Sequence, residues 1–210
     1  MKAHTKETQA SITPTTALQL LKEGNQRFQN NFKANRDLIE QVKSTSAGQF
    51  PFATVLSCID SRVSAELVFD QGVGDIFSAR VAGNFVNEDI LGSMEFACKL
   101  AGTKLLVVLG HTACGAIKGA CDDAKMGNLT KLIAKLKPAV EAVSEPSDAS
   151  LRNSGNSKFV DTVAKTNVKL TAENIRKESE VLAQMEQDKE IMIVGGMYDI
   201  SNGAVSFFEV

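Results

Sequence analysis

Two short polar segments, each directly after an apolar stretch, contain the residue types best suited to chemistry. The first, CIDSR, holds Cys58, Asp60 and Arg62 and follows the apolar run FATVLS. The second, HTACG, holds His111 and Cys114 and follows LLVVLG. Two thiolates and one imidazole are a ligand set of catalytic zinc sites, which leave the fourth position to water, and soft thiolates favour zinc over magnesium or calcium. The sequence therefore predicts a zinc site made by Cys58, His111 and Cys114.

The other cysteines and the other histidine fit different roles. Cys98 lies on the apolar face of one predicted helix and Cys121 lies inside another, so we expect both to pack as small hydrophobic residues. The same packing role is the alternative for the two strand-end cysteines, but the histidine three residues before the second one favours ligation. His4 lies in the polar N-terminal stretch, so His111 is the only histidine expected to serve inside the fold.

Asp60 and Arg62 lie in the turn beside the predicted metal, and three roles remain open for them. The carboxylate of Asp60 could be a fourth zinc ligand that closes the site. Alternatively, Arg62 could hold it by two charge-assisted hydrogen bonds, which would leave it as an acceptor for a zinc-bound water. The third role is an ordinary salt bridge in a turn. Because zinc lowers the pKa of its bound water to about 7, the site predicts a hydroxide that attacks a small electrophilic carbon.

An alternation of short apolar runs and helical patterns predicts the elements that position these residues. The predicted strands are 52–58, 75–83, 104–111, 190–196 and 204–210; the predicted helices are 14–32 with Thr13 as its N-cap, a shorter one within 30–48, 64–70, 87–100, 115–124, 129–143 interrupted at Pro138, and 160–187. This order is typical of an α/β fold with a mainly parallel central β-sheet flanked by helices, with an antiparallel edge strand at the C-terminus. Since the carboxyl ends of parallel strands share one edge, where ligands bind, the two polar segments are expected to meet there.

Composition argues against several classes of protein. The chain has 210 residues and a formal net charge of −2, without the basic excess or stripe of a nucleic-acid-binding protein. No apolar run approaches the ~20 residues of a membrane-spanning helix, and the first residues, MKAHTKETQASITPTT, lack the apolar core of a secretion signal. We therefore expect a cytoplasmic protein, or a periplasmic one if a signal peptide was removed, with no nucleic-acid or membrane partner.

The two metal-site motifs together carry a resemblance to a known family. C-x-D-x-R after one strand and H-x-x-C-G after a later one, with RVAGN between them, resemble the β-class carbonic anhydrases across about residues 49–119, and the final strands also fit. The resemblance implies a zinc enzyme that reversibly hydrates carbon dioxide to bicarbonate and a proton through zinc-bound hydroxide. It implies Zn²⁺ ligation by Cys58, His111 and Cys114, with Asp60 and Arg62 as the pair that orients the hydroxide.

The resemblance also implies residues that contact the substrate. Gln49 stands nine residues before Cys58 and would hydrogen-bond bicarbonate across a dimer interface. Phe77 would form an apolar wall of the same pocket, and Gly115 would follow the last metal ligand as it does in the family. Carbon dioxide and bicarbonate are thus the implied small-molecule partners.

An assembly and a resting state follow from the same resemblance. Homodimers with intertwined N-terminal helices, often paired into homotetramers, are implied, with residues 1–48 as the N-terminal helical arm for dimerisation and 49–210 as the α/β zinc catalytic domain. The chain departs from the commoner motifs at Ile59 and Ala116. It has no tryptophan, whereas the subgroup with an aspartate-closed resting site uses one. An open site is therefore favoured, although Asp60 could still reach the zinc at low pH.

Three other functions remain as alternatives. A relative with the same fold could hydrolyse carbonyl sulfide or carbon disulfide, since a few pocket residues decide between such substrates. A non-catalytic zinc protein would have no open fourth position on its metal. The glycine-bearing turns GVGDIF and GHTACGAIKG could suggest a nucleotide-binding module, but neither is G-x-G-x-x-G and neither ends in GK[ST].

Overall fold

One five-stranded sheet forms the centre of the molecule, in a computed structural model that describes residues 1–210. The strands are β1 (Ala53–Ser57), β2 (Ile76–Arg80), β3 (Leu105–His111), β4 (Met192–Tyr198) and β5 (Val205–Phe208). They lie in the order β2-β1-β3-β4-β5, with parallel pairing from β2 to β4 and antiparallel pairing of β5 with β4. The predicted mainly parallel sheet with an antiparallel edge strand at the C-terminus is confirmed.

Helices flank this sheet and connect its strands. They are α1 (Lys6–Ala10), α2 (Pro14–Gln29), α3 (Leu38–Thr45), α4 (Ala65–Val68), α5 (Glu88–Glu95) with a π-helical turn (Phe96–Leu100), α6 (Gly115–Cys121), α7 (Gly127–Ala134), α8 (Lys137–Ala142), a 3₁₀ turn (Ala149–Leu151), α9 (Ser157–Glu178) and α10 (Glu180–Gln187). None of them combines the length and the apolar character that crossing a bilayer requires.

The structure corrects two helix predictions and agrees with a third. The helix predicted over 160–187 is two helices, α9 and α10, because Ser179 between them has an extended backbone and its side chain accepts the Leu182 amide at 3.2 Å as the N-cap of α10. The interruption predicted at Pro138 is present, since α7 ends at Ala134 and Pro138 lies in the first turn of α8. The first long helix ends at Gln29, so Phe32 lies outside it and is exposed.

Strands β1 and β3 are buried on both faces, as expected of a parallel sheet covered by helices. On β3, Leu105, Val107 and Leu109 join the hydrophobic cluster that includes residues of α2. Leu106 and Val108 face the opposite side, where they join residues of α9 and α10. Because alternate side chains of a strand point to opposite faces, the core is divided into two layers. Both faces of the strand are apolar, so polar functional residues are placed at its ends.

Helix α2, the first long helix of the chain, packs on the sheet of its own chain. Ala17 and Leu21 are fully buried in the cluster that covers one face of the sheet. Thr13 accepts the Thr16 amide at 3.1 Å and begins the helix, as the sequence predicts. The division into an arm of residues 1–48 and a catalytic domain of 49–210 stays a prediction.

A buried ion-pair network ties the segment after α2 to the body of the protein. The Asp70 carboxylate accepts hydrogen bonds from Arg27 Nε at 2.5 Å, Arg36 Nη1 at 2.7 Å and the Ala34 amide at 3.1 Å. Burial alone would raise the pKa of Asp70, but these hydrogen bonds more than reverse that effect, so the pKa lies below its ordinary value. The carboxylate is therefore charged and paired across the neutral pH range.

Candidate metal centre

The three residues predicted to bind metal come together at the carboxyl edge of the sheet. Cys58 follows β1, His111 ends β3 and Cys114 lies just beyond it; because β1 and β3 are neighbours, their ends meet. One potential ligand atom from each residue lies within 4.8 Å of the others. The two sulfur atoms are 4.0 Å apart, close to the roughly 3.8 Å that two thiolates span on a tetrahedral zinc with Zn–S bonds of ~2.3 Å.

The imidazole of His111 supplies a direct test of whether a metal fits. Its Nδ1 lies 2.9 Å from the Thr112 carbonyl oxygen, which fixes the tautomer and leaves Nε2 with a free lone pair. Nε2 is buried and has no hydrogen-bond partner. A buried polar atom without a partner is costly, and a metal ion beside the two sulfur atoms would satisfy it. The donor set therefore fits zinc in both chemistry and spacing.

The backbone also contacts the thiol groups of the cluster. The Gly83 amide donates to Cys58 Sγ at 3.4 Å. Cys114 is the N-cap residue of α6, although its sulfur atom accepts no capping hydrogen bond. The contact between the two sulfur atoms, 4.0 Å apart, lowers the pKa of Cys58 and, together with burial, raises the pKa of Cys114. These surroundings therefore favour the thiolate form of Cys58 over that of Cys114.

Asp60 and Arg62 form a bidentate pair beside the cluster. Arg62 Nε donates to Asp60 Oδ1 at 2.9 Å, and Nη2 donates to Oδ2 at 2.7 Å. These side-chain hydrogen bonds hold the pKa of Asp60 well below its ordinary value, so the group is a carboxylate at every physiological pH. Asp60 Oδ2 lies 4.0 Å from His111 Nε2. The carboxylate therefore faces Arg62 while remaining close enough to contact a molecule bound between the ligands.

Arg80 holds the backbone of the same turn, a role that the sequence analysis missed. From the end of β2, its Nε donates to the Cys58 carbonyl at 3.0 Å and its Nη2 donates to the Asp60 carbonyl at 2.7 Å. One guanidinium group thus fixes the orientation of both a ligand residue and the carboxylate residue. Its position in RVAGN, between the two site motifs, was the available signal.

Two residues of α9 also contact the site and were missed. Asp161 Oδ1 accepts the Ala113 amide at 2.8 Å, inside the turn between His111 and Cys114. Asn167 Nδ2 donates to the Gly83 carbonyl at 2.8 Å. Asn167 is only 4% exposed on a helix face whose other buried residues, apart from Thr171, are apolar. A polar residue at such a position was the sequence signal for a specific contact.

Three further predicted site residues lie in different places. Gly115 is the first residue of α6, directly after Cys114. Gln49 is exposed and precedes β1, and since the strand advances about 3.3 Å per residue, Ala53 to Cys58 alone span roughly 17 Å. Phe77 lies in register with the second residue of β1, also toward the amino end. Within one chain, Gln49 and Phe77 are not brought to the metal ligands.

Comparisons with known proteins agree with this geometry. A sequence model of carbonic anhydrases matches residues 53–205. The chain is 35% identical over 194 residues, 92% of each chain, to carbonic anhydrase 2 of Mycobacterium tuberculosis. It is 36% identical over 193 residues to a carbonic anhydrase of Mycolicibacterium smegmatis, covering 91% of this chain and 92% of that one.

Solved structures show the same fold. The β-carbonic anhydrase CcaA superposes with a TM-score of 0.72 at 26% identity, over 91% of this chain and 95% of that chain. A chain from the crystal structures of two tetrameric β-carbonic anhydrases of Sordaria macrospora superposes with a TM-score of 0.70 at 21% identity, over 90% of this chain and 91% of that chain. The resemblance carried by the two motifs is confirmed, and the chain is an enzyme of the carbonic anhydrase family, of the β class.

Proposed function

We propose that this chain catalyses the reversible hydration of carbon dioxide to bicarbonate and a proton, with Zn²⁺ held by Cys58, His111 and Cys114. The observation that carries the proposal is the buried Cys₂His cluster, in which His111 Nε2 has no other partner. When bound, zinc supplies the Lewis acidity that makes water a nucleophile near neutral pH. Membership of the carbonic anhydrase family supports carbon dioxide as the electrophile.

The residues beside the cluster would orient the reacting water. The Asp60 carboxylate, kept ionised and directed by Arg62, accepts a hydrogen bond and thereby selects one orientation of a water bound between the ligands. Arg80 donates to the carbonyl oxygens of Cys58 and Asp60, which keeps the backbone that carries the carboxylate in one conformation. The Thr112 carbonyl keeps the His111 ring in one orientation. In this proposal Asp60 is an acceptor in the open site, and it is not a fourth ligand.

The substrate side of the site would be completed by a second copy of the chain. Gln49 and Phe77 lie toward the amino end of β1 and β2, so in their own chain they are remote from the metal ligands. In a homodimer, or a homotetramer built from two such dimers, the partner's Gln49 would donate to bicarbonate and Phe77 would line the pocket. Gly115 leaves open space beside Cys114, because a Cβ at this position would meet no atom within 4 Å.

None of the four cysteines forms a disulfide bond. Persistent thiols are typical of reducing compartments, which supports the cytoplasm as the proposed location.

Stopped-flow carbon dioxide hydration with measured zinc content tests the proposal. We expect wild-type protein to bind one zinc per chain and to be active, and Cys58→Ser to lose both properties. Cys121→Ser is the matched control, since this half-buried thiol lies outside the cluster, and it should retain both.

Three results would contradict the assignment. Full activity in a zinc-free Cys58→Ser protein would exclude the metal mechanism. Zinc-replete wild-type protein without hydration activity would support a non-catalytic zinc protein. Hydrolysis of carbonyl sulfide or carbon disulfide in clear preference to carbon dioxide hydration would replace the substrate.

A further inference from the structure

Helix α9 contacts the turn that carries His111 and Cys114, and it also contacts the turn at Gly83, whose amide donates to Cys58 Sγ. We propose that α9 fixes the distance between these two turns, and thereby the placement of the ligand atoms, with Asp161 and Asn167 as its positioning residues. Neither side chain belongs to the ligand cluster. The inference rests on the proposed zinc site, and it concerns how precisely the ligands are held.

Asp161 acts on the turn between His111 and Cys114. Ala113, inside this turn, has a φ of 54°, a left-handed conformation that residues other than glycine seldom adopt. The Ala113 amide donates to Asp161 Oδ1 at 2.8 Å. A charged acceptor makes this a stronger bond than a neutral one would. The contact therefore stabilises the one backbone conformation that directs both ligands to the same point.

Asn167 acts on the turn that faces Cys58. Its amide group donates to the Gly83 carbonyl at 2.8 Å, and the Gly83 amide in turn donates to Cys58 Sγ at 3.4 Å. Gly83 has a φ of 82°, and a Cβ there would lie 2.7 Å from Leu136 Cδ1. The turn is thus held from two sides. Asn167 therefore acts on Cys58 Sγ through one intervening residue, Gly83.

One rigid helix joins the two contacts. Asp161 and Asn167 are six residues apart, or about 9 Å along a helix that rises 1.5 Å per residue. At Val168, the residue after Asn167, α9 also approaches β3 closely: a Cβ on Gly110, the residue before His111, would lie 2.6 Å from Val168 Cγ2. The rigid helix therefore fixes the distance between the turn at Ala113 and the turn at Gly83. This constraint adds to the one that the pairing of β1 with β3 already imposes. Ligand atoms placed in advance lose less entropy when a metal binds.

The test compares Asp161→Ala and Asp161→Asn for zinc affinity, the absorption spectrum of the cobalt-substituted protein, and hydrogen exchange of the metal-free protein over 111–114. Loss of an outer contact to metal ligands typically weakens metal binding about 10–100-fold, and we expect this loss in Asp161→Ala, with faster exchange and an altered cobalt spectrum. Asp161→Asn should recover most of the affinity, because its amide oxygen still accepts from Ala113. Glu173→Ala, on the exposed face of the same helix, is the matched control.

Asn167→Ala extends the test to the other turn, with the exposed Asn174→Ala as its control. We expect weaker zinc binding in Asn167→Ala, and a larger loss in the double variant with Asp161→Ala than in either single one. If Asp161→Ala fails to fold, Asn167→Ala decides the question by the same measurements. Zinc affinity and exchange in both variants equal to those of their controls would overturn the inference.

These outcomes are separate from the test of the proposed function. Wild-type protein that binds no zinc would refute the proposed metal site, whereas exchange at Ala113 in metal-free protein would still report whether Asp161 holds the turn. Wild-type protein that binds zinc while Asp161→Ala binds it equally well would overturn only the role of α9.

Discussion

Replacing Gly110 with alanine should separate α9 from the sheet at the point where the metal site begins. Gly110 is the residue before His111 on β3, and α9 crosses it closely. An added Cβ would lie 2.6 Å from Val168 Cγ2 and 2.8 Å from Met197 Sδ. Side-chain carbons in contact sit at about 3.5–4.0 Å, so one of the neighbours must move by nearly an ångström. Met197 is flexible, but the branched Val168 is held by its helix.

The expected magnitude follows from overpacking in a dense core. Inserting one methyl group into a well-packed site typically costs about 1–3 kcal/mol. For a chain of this length, about 1 kcal/mol lowers the melting temperature by roughly 2–4 °C, so Gly110→Ala should melt about 2–12 °C lower. Since the shift moves α9 away from β3, we also expect weaker zinc binding.

Thermal and urea unfolding of four proteins provide the assay: wild type, Gly110→Ala, Val168→Ala and the double variant. Removing the Val168 methyl groups makes room for the new Cβ, so the double variant should be more stable than the sum of the single effects by about 0.5–3 kcal/mol. Gly92→Ala is the control, because a Cβ there meets nothing within 4 Å, and it should stabilise the exposed helix position by about 0.4–1 kcal/mol. Additive effects of Gly110→Ala and Val168→Ala would refute the proposed steric contact.

Three further predictions test other parts of the structure. Asp70→Asn leaves the Arg36 side chain, 5% exposed, with only the more distant carboxylate of Asp75, at 3.9 Å, as its charge partner. The variant should therefore lower the free energy of unfolding at pH 7 by at most about 3–5 kcal/mol. The pKa of Asp70 is lower in the folded protein than its ordinary value of about 3.9. The ionised carboxylate therefore stabilises the fold above that ordinary value, and this stabilisation is lost as pH falls through the folded pKa. Urea unfolding measured across pH should show this loss in the wild type and not in Asp70→Asn. Arg80→Lys cannot hold both carbonyls, so kcat should fall, by up to about 100-fold if the turn shifts by 1 Å, with zinc content unchanged; unaltered kinetics would count against its positioning role. Gln49→Ala should retain zinc and turn over more slowly, and unchanged kinetics would remove Gln49 from the site.

The parts predictable from sequence are those coded by local patterns. The apolar run of β3 is long enough to identify a doubly buried strand, and the polar residues after it mark the functional edge. Cys58 and Cys114 differ from Cys98 and Cys121 by their position at strand ends, and the structure separates the same pairs: the first two lie within one ligand cluster and the others do not.

The parts that could not be predicted depend on contacts distant in sequence. Asp161 and Asn167 bond to residues 48 and 84 positions away, and no local pattern encodes such partners. The break at Ser179 was missed because apolar spacing continues on both sides, while capping of α10 depends on one hydroxyl group. Arg80 was identified only as part of the RVAGN motif. Its hydrogen bonds to the Cys58 and Asp60 carbonyls depend on the pairing of β2 with β1, which the sequence motif does not encode.

The placement of the ligands on two central strands has a consequence for the order of folding. Cys58 and Cys114 are 56 positions apart, with β2, β3 and the helices α4 and α5 between them. Pairing of β1 with β2 closes a shorter loop than pairing of β1 with β3, so it costs less chain entropy. A partly folded chain with only the first pair would present a single thiol and no imidazole. We therefore expect metal capture to wait until β3 has docked, which makes zinc uptake a marker of a completed sheet.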